Sequence, residues 1–290
     1  MIPYSQIPDI PFFFGLKLHP FGLLVATGVL LGYQFVLSQA RRLKIPEGQM
    51  DALCMAVVIT GFVGSHWIEA LFYQWDRLID EGPLYLLKIW DGISSFGGMF
   101  GAMVGYYWFT RRVKGTPLPY MDMAVTGFVM GWVFGRLGCT IAFDHPGARS
   151  DFFLAFQLPD GARHNLGFYE FLYTAIVMVP TVFWLRRRNG GFGPRPGMYT
   201  VFLIAEYVPA RFLLDLMRAQ DVRGADTRFL GLTPGHYSAL VLAGIGIWIY
   251  TASKKLPEDY LVQLRDGKVG GFLAGPGAIT SSSRKKKADG

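Results

Sequence analysis

Charge is scarce in this chain. Asp, Glu, Lys and Arg make up only 17% of its 290 residues, against about a quarter in an ordinary soluble domain. Cysteine is scarcer still. Cys54 and Cys139 both lie in apolar stretches, and one pair defines no disulfide framework. The five histidines (His19, His66, His145, His164, His236) and two cysteines show no metal-ligand spacing, so neither a metal nor a cofactor is expected. There is no P-loop and no strand leading into G-x-G-x-x-G. The final apolar stretch contains no lysine, which argues against a retinal protein. One lysine, Lys17, precedes the first apolar stretch and no A-x-A-like site follows it, so no signal peptide is expected. Inverted repeats and paired broken helices are missing, which argues against a transporter. The net charge of +7 raises the question of nucleic acid. The basic residues, however, form short scattered runs between apolar spans, and no nucleic-acid partner is expected.

What is present is apolar surface: 51% hydrophobic and 16% aromatic residues, with a mean hydropathy of +0.30. The spacing predicts an all-α integral membrane protein with seven transmembrane helices, over Phe21–Leu37, Ala52–Phe72, Ile93–Phe109, Met121–Phe143, Gly167–Leu185, Met198–Leu214 and Tyr237–Tyr250. A helix of about 20 residues crosses a hydrocarbon core of about 30 Å, and in lipid the backbone must satisfy its own polar groups. Basic residues alternate between loops. Arg41, Arg42 and Lys44 follow span one, Arg111, Arg112 and Lys114 span three, Arg186, Arg187, Arg188 and Arg195 span five, and Lys254 and Lys255 span seven. The intervening loops hold fewer: Arg77 and Lys88, then Arg149 and Arg163, then Arg218, Arg223 and Arg228. The positive-inside rule then puts the N-terminus outside and the C-terminus inside, the parity seven spans require. Residues 1–256 read as one transmembrane domain and 257–290 as a basic, disordered cytoplasmic tail.

Gly97, Gly101 and Gly105 recur every four residues, as do Gly127, Gly131 and Gly135, which lets helix backbones approach closely in lipid. Gly97 and Gly98 are also candidates to leave room for a ligand. Ionisable side chains inside spans are functional candidates by default. Span two holds His66 and Glu69, for which a satisfied core position is the competing reading. Span four holds Arg136. Span six holds Glu206 and a stripe of Tyr207, Arg211, Asp215 and Arg218 at helical spacing. Such a stripe lines a polar cavity or forms an internal salt-bridge lattice. Arg211 lies about 20 Å beyond Met198 at about 1.5 Å per residue. Arg136 and the segment Ser95–Gly98 fall at similar depth in the outer half of the bilayer. Two guanidiniums there suit a phosphate, which Arg grips bidentately, and the phosphate found at that depth is a phospholipid headgroup.

These residues resemble the prolipoprotein diacylglyceryl transferase family over about residues 17–250. Gly135-Arg136-Leu137-Gly138 and Gly147 match the ends of its signature G-R-x-G-N-F-x-N-x-E-x-x-G, with Asp144 in place of Glu. Tyr207 and Arg211 meet its Tyr-x-x-x-Arg, followed by Asp215 and Arg218 where the family usually has Glu and Arg. LKLHPFGLL resembles its I-x-W-Y-G-L, the segment Trp90 to Gly98 its G-G-L-S-F-H-G-G, and the segment His164 to Glu170 its H-P-S-Q-L-Y-E, with Tyr169 and Glu170 kept. The chain departs from the family at Phe96, where the family has a histidine regarded as catalytic, at Phe21 for its tyrosine, and at Cys139 and Ala142 for its two asparagines.

The resemblance implies seven helices with the N-terminus outside, in the bacterial cytoplasmic membrane. It implies transfer of a diacylglyceryl group from phosphatidylglycerol to the lipobox cysteine of an exported prolipoprotein, forming a thioether. The expected partners are phosphatidylglycerol, lipobox segments and membrane lipids. Arg136, Arg211, Tyr207 and Asp144 are the expected catalytic set. Arg136, Arg211, Gly97, Gly98, Ser95, Tyr169 and Arg218 are the expected substrate contacts. With Phe96 in the histidine position, His145, His164 and Asp144 are the candidate bases, each with a plain loop residue as the competing reading. Cys139 reads as a small packing residue. A paralogue that kept the lipid pocket and lost the chemistry is the alternative.

Overall fold

The computed structural model describes residues 1–5, 7–8, 10–11, 17–89, 92, 94–112, 117–188, 195–222 and 225–255. The expected tail over 257–290, and Trp90, Asp91, Ile93, Lys114 and Arg223, lie outside the described residues, as do the side chains of Ser95 and Phe96. The chain is mostly helical. Its helices are α1 (Pro20–Leu43), α2 (Glu47–Phe72), α3 (Trp75–Glu81), α4 (Ser95–Thr110), α5 (Leu118–Ala142), α6 (Leu166–Tyr173), α7 (Val179–Arg187), α8 (Met198–Leu216) and α9 (Pro234–Ser253). A π-helical turn, Thr174–Met178, joins α6 to α7. Among the described residues, four helical stretches are long and apolar enough to cross a bilayer: Pro20–Leu43, Glu47–Phe72, Leu118–Ala142 and Leu166–Arg187. Large apolar side chains stay exposed along these and other helices, among them Leu30 on α1, Phe100 and Tyr107 on α4, and Val241 and Ile247 on α9. Such faces are a liability in water and need no cover in lipid.

Two compact units are distinguishable, Met1–Val36 with residues 125–255, and Leu37–Ala124. In the second unit α2 and α4 meet along a glycine seam. A Cβ on Gly64 would lie 2.8 Å from Gly97 O and from Gly101 Cα, and one on Gly101 only 2.1 Å from Thr60 O. Gly97 belongs to this seam: the space its missing side chain leaves is filled by Gly64 O at 2.4 Å. Gly98 also faces α2, with a Cβ placed 3.7 Å from Ser65. α2 therefore fills the space beside Gly97, while at Gly98 a side chain would meet Ser65 at ordinary contact distance. His66 is fully buried in this unit, its ring nitrogens 3.2 Å from Gly92 O and 2.9 Å from Tyr85 O.

In the first unit α1 and α5 use the same device. A Cβ on Gly28 would lie 2.6 Å from Gly131 O, and one on Gly32 2.7 Å from Gly127 O. Gly135, the third of the α5 repeat, has nothing within 4 Å of such an atom and takes no part. Phe35, Val129, Met178, Val182 and Leu203 form the apolar core, with Tyr173 and Tyr207 packed against it.

The all-α expectation needs correction. Strands β1 (Ile2–Pro3), β4 (Pro146–Arg149), β5 (Phe156–Leu158) and β6 (Gly161–Asn165) form a sheet in the order β1-β5-β6-β4, and β2 (Ile10–Pro11) pairs with β3 (Lys17–Leu18). The strands hold two to five residues, too short for an alternating pattern to register. Arg163 of β6, 2% exposed, grips Asp221 with two bonds of 2.7 Å. Those bonds hold the Asp221 carboxyl below the usual carboxylate range and tie the chain after α8 to the sheet. Ala148 N donates to Met217 O and Ala219 N to Pro146 O, which fixes β4 beside the end of α8.

Candidate functional site

The site is built where α6 starts against α5. Asn165 caps α6: its Oδ1 accepts from Phe168 N, and its Nδ2 donates to Thr140 O on α5 at 3.0 Å. Gly167 makes the close approach possible. A Cβ there would lie 3.0 Å from the Cys139 carbonyl carbon and 3.1 Å from Thr140 N. The two helices run in opposite directions. Three residues forward on α6 is Glu170, three back on α5 is Arg136, and these two come level.

Glu170 is 1% exposed and carries the convergence. Arg136 Nε lies 3.0 Å from its Oε1, and Arg211 Nη1 donates to its Oε2 at 3.2 Å. The Tyr207 hydroxyl donates to Oε1 at 2.5 Å. Arg136, 8% exposed, is covered by the Trp132 ring at 4.1 Å. Arg211 Nη2 lies 3.0 Å from Asp215 Oδ1. Asp215 accepts through Oδ2 from the Thr233 hydroxyl, which with His236 forms the capping box at the start of α9. A Cβ on Gly235 would meet Asp215, so that position needs glycine. Two arginines face two carboxylates, and the cluster has a formal charge of zero.

Arg136, Tyr207 and Arg211 thus meet, and what they meet on is Glu170, for which the sequence shows a motif match and no role. The signal was available: two arginines in apolar helices need an anion, and Glu170 sits in a span. The stripe on α8 is shorter than expected. The helix ends at Leu216, and Arg218 lies beyond it with Nε 2.6 Å from Asp226. Asp144 and His145 follow the end of α5. The Asp144 carboxyl is held above its usual value by burial. His145 is pushed down to about 3 by burial first and then by Arg136, Arg218 and Arg211. His164 faces Tyr169, with Nδ1 2.7 Å from the hydroxyl. Tyr169, next to Glu170 in the chain, turns toward His164 and Leu154 O. Gly97 and Gly98 belong to the other unit, as does the backbone of Ser95.

Among the described residues Cys139, Asp144 and His145 are the group able to hold a metal ion, their ligand atoms lying within 4.8 Å of one another. The sequence spacing did not reveal them. The three arginines that depress His145 set a positive potential there, which suits an anion better than a cation. Fixed guanidiniums on a buried anion are what phosphate-ester chemistry needs from a protein.

Apolar helices with exposed lipid-compatible faces and an ionic cluster buried between them define a multi-pass membrane protein. The chain belongs to the prolipoprotein diacylglyceryl transferase family, whose sequence model matches residues 9–252. It is similar to the phosphatidylglycerol–prolipoprotein diacylglyceryl transferase of Chromohalobacter salexigens, 28% identical over 89% of this chain and 97% of that one. The same-named proteins of a Marinomonas species (28% identical, 88% of this chain and 96% of that one) and of Vibrio cholerae (27%, 88% and 97%) are further relatives. The chain is accordingly a transferase of lipoprotein biosynthesis.

Proposed function

We propose that the protein transfers the diacylglyceryl group of phosphatidylglycerol to the lipobox cysteine of exported prolipoproteins. The acceptor sulfur attacks the glyceryl carbon, a thioether forms, and glycerol phosphate leaves. The observation that carries this reading is the meeting of Arg136 and Arg211 on one buried carboxylate, within 3.0 and 3.2 Å. Two guanidiniums held that close span one phosphate, and in a site of low dielectric they favour the charge that develops on the leaving group. Tyr207 supplies a third donor at the same place. Asp144 and Arg218 are assigned to its rim.

Seven crossings with the N-terminus outside belong to the same proposal, with α4, α8 and α9 added to the four apolar stretches, in the bacterial inner membrane. Helix ends support it. Arg112 lies over Trp108 at the end of α4, Arg188 over Trp184 at the end of α7, and Lys254 over Tyr250 at the end of α9, at 4.4, 4.7 and 4.2 Å. Paired cations and aromatics of this kind anchor helix ends at the membrane–water boundary. Arg112, Arg188 and Lys254 belong to the basic loops that the positive-inside rule assigns to the inner side.

Complementation of a bacterium depleted of its own transferase tests the proposal, alongside thioether formation on a lipobox peptide with phosphatidylglycerol in nanodiscs. Growth and thioether product are expected. Phospholipid binding without product selects the second reading, a lipid-binding paralogue, which Phe96 at the family's histidine position favours.

A further inference from the structure

The arginine pair is already occupied. Arg136 and Arg211 bear on Glu170, and Arg211 also on Asp215, so the resting cluster is neutral. A phosphodiester brings one further negative charge. A phosphate placed between the same two guanidiniums lies against the carboxylate, and a like-charge contact in a buried site is costly. Among the described residues, the charged or titratable groups around Glu170 are Arg136 from α5 and Tyr207 and Arg211 from α8, with Asp215 behind Arg211 and Cys139 and Asp144 beside Arg136. The Thr174 hydroxyl, at the start of the π-helical turn, donates to the Glu170 backbone carbonyl.

We infer that Glu170 is an exchangeable counter-anion: the donor phosphate takes its place between Arg136 and Arg211, and the released carboxylate accepts the proton of the acceptor thiol. The inference rests on the transferase reading above. The thiol proton passes to a carboxylate oxygen of Glu170. The sulfur electron pair forms the S–C bond to the glyceryl carbon, and the C–O bond to phosphate breaks with its pair leaving on oxygen. One negative charge has then moved from Glu170 to the phosphate, which becomes a monoester dianion facing two guanidiniums. The clamp is matched to the product of bond breaking better than to the monoanionic donor, which is differential stabilisation along the reaction. As the monoester departs it carries off the proton, and Glu170 returns to the arginines. The acid–base role left open by Phe96 is thereby filled from inside the arginine cluster.

The test compares wild type, Glu170→Gln and Glu170→Asp in nanodiscs by two readouts: binding of a non-transferable ether analogue of phosphatidylglycerol, and thioether formation on a lipobox peptide as a function of pH. Glu170→Gln removes the internal competitor and is expected to bind the analogue several-fold tighter. Its transfer is expected to fall about a hundredfold or more, the usual weight of a positioned base. Part of that loss should return as the pH rises past the ordinary thiol value of about 8.5, where the thiolate forms unaided. Wild-type transfer by Glu170→Gln overturns the inference. So does a loss of transfer that parallels a loss of lipid binding, or one that stays flat with pH. Where the Gln variant fails to insert, Glu170→Asp decides: lowered transfer with the wild-type pH profile supports the inference, and unchanged transfer or proportional loss of lipid binding overturns it. Wild-type protein that binds the analogue but makes no thioether refutes the transferase reading instead, and the exchange step is then still decided by the binding arm.

Discussion

Gly167 of α6 rests on the backbone of Cys139 of α5, with no room for a side chain between them: a Cβ on the glycine would be 3.0 Å from the Cys139 carbonyl carbon. That contact sets the level at which Glu170 meets Arg136, so a residue with no chemistry of its own controls the geometry of the ionic cluster. Gly167→Val should push the start of α6 away. The expected cost is about 1–3 kcal/mol of overpacking, read as a lower unfolding temperature in detergent. Transfer should fall further than stability does, because a misplacement of about 1 Å can cost about a hundredfold in rate. Wild-type transfer by a correctly inserted variant would show that the α5–α6 contact does not set the site.

Arg136 and Arg211 approach Glu170 through different guanidinium nitrogens, and Arg211 spreads over two carboxylates at once. Lysine has one ammonium and cannot make the forked contact. Arg136→Lys and Arg211→Lys should therefore each lose about a hundredfold to a thousandfold in thioether formation, the range for removing a group that holds developing charge. Arg→Ala variants should lose at least as much. Retention of wild-type turnover by both lysine variants would remove the main argument for a phosphate clamp.

Much of this site is legible in the sequence. Arg136, Tyr207 and Arg211 stand out because ionisable groups inside apolar runs need an explanation, and Tyr207 and Arg211 share a helix face by spacing alone. Their common partner is not legible in the same way. Glu170 lies four residues into a helix whose packing partner depends on Gly167, and a pairing across 34 residues leaves no local pattern. The sheet is not legible for a related reason: Ile2 pairs with Phe156, and strands this short carry no periodicity. The helices were located, but α1 runs on to Leu43, past the apolar stretch and through Arg41 and Arg42. Hydropathy reports where lipid ends, while backbone hydrogen bonding continues into the headgroup region. The glycine repeats signalled close helix contact, and Gly97 serves that contact.

His145 gives a pH prediction whose sign is fixed. Burial and the nearby arginines push it to about 3 in the folded protein, against about 6.5 for an unfolded chain. Between those values the unfolded state binds the proton and the folded state does not, so stability is full above about pH 6.5 and declines as the pH falls toward about 3. Asp144, whose value is raised by burial, works in the opposite direction at the acid end of this window. His145→Gln should leave the unfolding temperature near pH 7.5 close to wild type and flatten its decline between about pH 6 and pH 4. A decline as steep in the variant as in wild type would assign the acid lability to other groups.

Phe96 supplies the last prediction. It stands where the family resemblance calls for histidine, beside Gly97 and Gly98 at the start of α4. If Glu170 takes the thiol proton, a histidine at position 96 is dispensable, and Phe96→His should change transfer by less than about threefold at neutral pH. It should also fail to rescue Glu170→Gln. The competing account holds that the chain lost its base when the histidine became phenylalanine. It expects an inactive wild type and an active Phe96→His. Measuring thioether formation by wild type, Phe96→His, Glu170→Gln and the double variant separates the two. Residues that act as one catalytic unit give strongly non-additive losses. A double variant as poor as Glu170→Gln alone places the acid–base function in the arginine cluster, whereas recovery in the double variant shows that an imidazole on α4 can do the same work.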